Sequence, residues 1–138
     1  MKIDGECLCG HLAYEAVIDP QKVVICHCTD CQINSASAYR YGALVQAADF
    51  RLTRGELKHF DKTAGSGNRR RLSFCPDCGT SIYGTSVEAP VVFSLRLGTC
   101  RQRDQITPVM QIWKRSAQTW VEDLGKIVAF DEQPQLGG

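Results

Sequence analysis

This 138-residue chain has sparse helix signals, almost no net charge and no long apolar run. Each absence excludes something. Sixteen basic residues stand against fifteen acidic ones, so no global field draws the chain to nucleic acid or to a membrane surface. No apolar stretch reaches the length of a membrane span. The opening Met1-Lys2-Ile3-Asp4-Gly5 lacks the apolar core of a secretory signal. The expectation is a cytoplasmic protein that meets small molecules, with no nucleic acid or membrane partner. No internal repeat is evident, and the length suits one domain over residues 1–131 with a short tail at 132–138. Hydrophobic content of 43% and charged content of 22% are those of an ordinary globular chain.

With helix scarce, the remainder reads as short strands between turn signals, a mainly β fold. Strands are predicted at 12–17, 22–25, 41–45, 57–60, 71–74 and 91–97. A late one at 108–116 would carry Trp113, with Trp120 beyond it. One short helix is predicted after Thr29 as its N-cap, which puts Cys31 in the first turn, where unpaired backbone N–H groups favour a thiolate. Residues 64–68 have loop composition and lead into the basic cluster Arg69, Arg70 and Arg71.

What the chain does have is cysteine. Seven of its eight fall into three clusters, Cys7-x-Cys9, Cys26-x-Cys28-x2-Cys31 and Cys75-x2-Cys78. In a reducing compartment such spacings hold metal more often than disulfides, and clustered thiolates suit zinc. Four thiolates close a tetrahedral site, whereas three leave a position for water or substrate. The two doublets, each followed by glycine, would close one structural site, and the triplet would hold a second, open zinc. A ribbon pairing of Cys28 and Cys31 with Cys75 and Cys78 is the competing partition. It strands three clustered thiols, so ligand counting favours two zincs per chain.

Three thiolates leave a divalent zinc formally negative, a poor activator of water but a good acceptor for a further soft thiolate. Cationic neighbours would help, and His27, Arg40, Arg69, Arg70 and Arg71 are the candidates. The plain alternative has His27 or an acid closing the triplet as a second structural site, although the position of His27 between two ligands hinders its ring. His11 and His59 have weaker claims. A zinc deaminase is excluded, because neither Cys26-His27-Cys28 nor Cys28-Thr29-Asp30 supplies the required Glu. Cys100, beside Arg101, reads as a buried small hydrophobe before a redox nucleophile.

These motifs together resemble one family. Gly5-x-Cys7-x-Cys9-Gly10, Cys26-His27-Cys28-x2-Cys31, Phe50-Arg51-Leu52-Thr53-x-Gly55 and Phe74-Cys75-x2-Cys78-Gly79-Thr80 are similar to those of the glutathione-dependent formaldehyde-activating enzymes, which include centromere protein V. The resemblance runs from about Gly5 to the Trp120 region. It implies an Mss4-like β-tent with zinc knuckles. It also implies Cys7, Cys9, Cys75 and Cys78 as structural zinc ligands, and Cys26, Cys28 and Cys31 around the second, catalytic zinc. The implied activity is carbon–sulfur bond formation between a glutathione-like thiol and formaldehyde or another small aldehyde, with arginines pairing the thiol's carboxylates. Gln32 departs from the pattern, since many members carry Arg after the third cysteine of the triplet. A non-catalytic thiol carrier and an interaction module using Trp113 or Trp120 are the other readings, with two tryptophans belonging by default to the core.

Overall fold

Alternating burial organises this chain. In β2 (Ala13–Val17) Tyr14 and Ala16 are buried while Glu15 and Val17 face outward. The computed structural model describes residues 1–135, so the predicted 132–138 tail lies partly outside the described residues. Along the chain, β1 (Lys2–Glu6) precedes β2, and β3 (Val23–Cys26) leads into α1 (Thr29–Ser35). Next come β4 (Arg40–Gln46), β5 (Phe50–Arg54), β6 (Lys58–Thr63), β7 (Arg69–Phe74), β8 (Ser81–Ser86), β9 (Val92–Arg96) and β10 (Met110–Ile112). The fold is mainly β, with one short α-helix among the described residues.

Two sheets result. Strands β1, β2 and β5 make a three-stranded antiparallel sheet, and the other seven run in the order β10-β3-β4-β9-β8-β7-β6. Only the β10–β3 pairing in the large sheet is parallel. The small sheet covers one face of the large one through an aromatic group. Phe50 stacks on Tyr14 across the small sheet and meets Tyr83 and Phe93 of the large sheet edge-on. Around it Leu12, Val23, Val45, Ile82, Leu95 and Leu97 are buried. Each such side chain contributes about 1.5–3 kcal/mol by leaving water.

Strand period decides what the opposite face carries. Ala43 and Val45 of β4 enter the core, so Arg40, Gly42 and Leu44 point the other way. In β9 Leu95 enters the core and Ser94 and Arg96 share the outer face. Register then sets Gly42 against Arg96, Leu44 against Ser94, and Ser94 against Gly84 of β8.

The predicted strands at 12–17, 22–25 and 41–45 coincide with β2, β3 and β4 to within about a residue at each end, which is ordinary boundary uncertainty. Those at 57–60 and 71–74 extend into the longer hairpin β6–β7, and 91–97 loses its end to a tight turn at Leu97–Thr99. Strands β1, β5 and β8 were not predicted as strands. Asp4 and Gly5 dilute β1, and Gly84 dilutes β8. The predicted 108–116 strand shrinks to Met110–Ile112, because Trp113 takes a left-handed conformation (φ 56°, ψ 37°) that ends pairing. Both tryptophans depart from the core default, being 51% exposed. Cys100 is fully buried.

Candidate metal centre and adjoining cavity

Seven cysteine sulfurs gather into two groups. Those of Cys7, Cys9, Cys75 and Cys78 lie within 4.8 Å of one another, as do those of Cys26, Cys28 and Cys31. The ribbon pairing is not adopted. Either group has the donor set of a thiolate metal site.

The four-sulfur group is built from two knuckles. Gly10 donates to the Cys7 carbonyl and Gly79 to the Cys75 carbonyl, with φ of 80° and 76° respectively. Glycine enters those turns without the penalty a Cβ would bring. The Leu12 amide donates to the Cys7 sulfur at 3.2 Å, and Thr80 Oγ1 lies 3.1 Å from the Cys78 sulfur. Hydrogen bonding from the Thr80 side chain, then from backbone amides, holds the Cys78 thiol down to about 5. Thiolate-favouring contacts of this kind are what a thiolate metal site needs.

The triplet joins β3 to α1. Cys26 ends β3, and Cys28 caps the helix, its sulfur accepting from the Cys31 amide at 3.3 Å. The cap is therefore Cys28 and not Thr29, which occupies the first helical position. A sulfur in that place satisfies one of the helix's free N–H groups as a hydroxyl would. Arg40 donates through Nε to the Cys31 sulfur at 3.3 Å. Hydrogen bonding with Cys26, opposed by burial and reinforced by Arg40, holds the Cys31 thiol down to about 4. The same pairing pushes the Cys26 thiol up.

His27 stays out of this group. Its ring is fully buried, with Nε2 2.8 Å from Gln111 Oε1, and it does not join the triplet. His11 lies beside Asp77, and His59 Nδ1 is 2.8 Å from Ser73 Oγ.

Over the triplet opens a cavity of about 810 Å³. Its floor is the outer face of the large sheet, with Leu72, Gly84, Ser94 and Arg96. Its walls are α1, the turn at residues 64–66 and the stretch 112–116. No cysteine of the four-sulfur group lines it. Arg40 and Arg70 of the predicted cations do. Arg69 and Arg71 do not, which corrects the expectation for the whole run. Strand alternation turns them to the other face, where Arg71 forks onto Asp61 at 2.8 and 2.9 Å and Arg69 reaches Glu88. Arg96, Lys62 and Arg115 line the cavity and were not predicted. Arg96 is brought there by cross-strand register, for which no local motif exists. Arg115 lies over the ring of Trp113, 4.9 Å from its centroid.

Gln32 occupies the position after Cys31 without supplying a cation. Its amide donates to the His27 carbonyl at 2.7 Å and the Ser116 carbonyl at 2.9 Å, and its oxygen accepts from Gln118.

A mainly β scaffold thus carries two cysteine clusters with the donor set to hold metal, one of them facing a cavity. The chain belongs to the family of the glutathione-dependent formaldehyde-activating enzyme, whose model matches residues 2–116. It is 31% identical over 80 residues to an uncharacterized lyase of Schizosaccharomyces pombe (strain 972). That match covers 58% of this chain and 55% of the relative, so it spans about half the length of the curated protein. A crystal structure of a Rhodobacter sphaeroides protein has the same fold, with a TM-score of 0.60 at 20% identity. The likeness covers 78% of this chain and 98% of that one.

Proposed function

We propose that this protein is a zinc-dependent carbon–sulfur lyase or synthase that joins a small thiol to a small aldehyde, with glutathione and formaldehyde the pair for which its family is named. The observation that carries this reading is the placement of the three-sulfur cluster under a cavity large enough for a tripeptide-sized ligand, while the four-sulfur cluster lies away from it. Zinc held by Cys26, Cys28 and Cys31 would supply a soft acceptor that keeps an incoming thiol deprotonated near neutral pH. Cys7, Cys9, Cys75 and Cys78 would hold a second, structural zinc.

The protein's own residues do the rest. Arg40 offsets the charge gathered on the sulfurs and fixes Cys31. The cavity holds thiol and aldehyde together and turns an encounter in solution into a local one. The substrate sulfur forms a bond to the aldehyde carbon, the C=O π pair moves onto oxygen, and that oxygen takes up the proton the thiol gave up. No electron is gained or lost overall. The relative named as a lyase supports this class of reaction. A reducing cytoplasm is the setting in which eight unpaired cysteines persist. The reading takes residues 1–131 as one domain, of which the family model covers 2–116.

The test compares adduct formation from glutathione and formaldehyde with wild type, with Cys31→Ser and in buffer. Acceleration by wild type alone is expected. Equal rates in all three would sink the enzyme reading, and saturable thiol binding without acceleration would leave a carrier.

A further inference from the structure

A sheet edge invites another strand unless something spoils it, and charged side chains are a usual means. The two sheets have four edges. Strand β1 carries Lys2, Asp4 and Glu6, β5 carries Arg51 and Arg54, and β6 carries Lys58, Asp61 and Lys62. The fourth edge, β10, carries no charge. From Thr107 to Trp113 the chain has no charged residue at all.

That edge is also left open. Val109, Met110, Ile112 and Trp113 are between 39% and 51% exposed, and Trp120 and Leu124 in the turns that follow are about half exposed as well. No residue from Thr107 to Gln135 is buried. Lys114 pairs with Glu122 at 2.7 Å, and Val121 and Glu122 share a cavity wall with Val109 and Met110, so strand and turn form one surface.

Backbone polarity points the same way. The Val109 amide donates to the Val23 carbonyl at 3.0 Å, so alternation turns the Met110 amide toward the side where the sheet has no further strand among the described residues. Around Gln111 the apolar pattern is its own mirror, with Met110 and Ile112 next to it and Val109 and Trp113 one step further out. A two-fold axis there sets β10 antiparallel to a second copy, Met110 against the partner's Ile112. Trp113 ends the strand, so the ladder is short and the flanking apolar groups supply the rest.

Area decides whether such a contact holds. The six exposed apolar side chains offer roughly 400 Å² per copy. With the polar share usual in homodimers this makes roughly 600 Å² a side, about 1,200 Å² in all, the lower end of specific interfaces. Charge at the rim does not oppose it, because Lys114 is paired with Glu122 and Lys126 with Asp123.

We propose that β10 is the isologous interface of a homodimer, in which a second copy extends the large sheet across a two-fold axis at Gln111. Ile112, Trp113 and Arg115 also line the cavity over the sulfur triplet, so the second copy stands beside its entrance. The pairing needs neither thiol nor aldehyde.

Sedimentation equilibrium of the zinc-loaded protein, under reductant so that no disulfide links the copies, should show a monomer–dimer equilibrium in the micromolar range. Met110→Lys and Ile112→Lys should each weaken it about tenfold or more. Phe60→Lys, at the opposite and already charged edge, should leave it unchanged. Native-state hydrogen exchange gives a reading that needs no variant, since protection of the Met110 amide should rise with protein concentration. A wild type that stays monomeric at hundreds of micromolar overturns the interface and leaves the edge to a strand of another protein. A dimer that both lysine variants leave intact, or whose Met110 exchange ignores concentration, overturns it as well, because the copies then meet elsewhere.

Discussion

Arg40 donates through Nε to the sulfur of Cys31 and through Nη1 to Ser94 Oγ, so one guanidinium joins the sulfur triplet to the sheet beneath the cavity. Such outer contacts orient a metal ligand and set the charge it carries. Arg40→Gln should therefore weaken zinc retention at the second site about 10- to 100-fold, while the four-cysteine site keeps its metal. Competition with a coloured chelator measures both, and equal release from wild type and variant would count against the contact.

Serine substitutions should separate the two clusters. Cys78→Ser opens the group that pins β7 and the first knuckle together, and we expect loss of cooperative unfolding along with one zinc per chain. Cys31→Ser should lose one zinc as well, yet keep its circular dichroism spectrum and most of its thermal midpoint. Elemental analysis beside thermal melts decides this, and an unfolded Cys31→Ser with an intact Cys78→Ser would reverse the assignment.

Gly42 and Gly84, both on the outer face of the large sheet, differ in how much room they have. A Cβ on Gly42 would come within 2.5 Å of the Leu95 carbonyl oxygen, which is backbone and cannot move aside alone. Gly42→Ala should cost about 1–3 kcal/mol of stability. On Gly84 the contacts are the ends of Arg96 and Leu72. Gly84→Ala should keep the fold and cost less, because flexible side-chain ends can give way where backbone cannot. Urea denaturation of the two variants measures the difference, and equal losses would count against it.

Asp61 provides a pH signature outside both sulfur groups. The hydrogen bonds from Arg71 hold its carboxyl below the ordinary 3.8. A depressed carboxylate adds stability that is present above its unfolded value and is lost as pH falls through its folded value. Wild type should exceed Asp61→Asn in urea midpoint near neutrality, and the gap should close below about pH 4. A gap that persists at low pH would mean that the side chain acts through packing.

Local chemistry was legible in the sequence; registry was not. The cysteine clusters could be read because ligands separated by one or two residues share a turn, and the turn glycines Gly10 and Gly79 stand beside them. Strands β2, β3 and β4 were visible from apolar runs between turn signals. Arg96 was missed because its place depends on β9 lying against β4, a pairing between residues far apart in sequence. The arginine run was misread as one surface, although period-two alternation in a strand already parts Arg70 from Arg69 and Arg71. Trp113 was placed on a strand, and its departure from one has a different reason. Nothing in its neighbours announces a left-handed tryptophan at a cavity rim.

Gln32 ties the far sides of this site to each other. It follows Cys31 in α1, yet its amide grips Ser116 and Gln118, beyond the rim residues Trp113 and Arg115. The helix bearing the third sulfur and the lip of the cavity are thus one mechanical piece. A displacement of Cys31 would be carried through Gln32 toward the entrance, and a ligand pressing on the rim would be felt at the sulfur triplet.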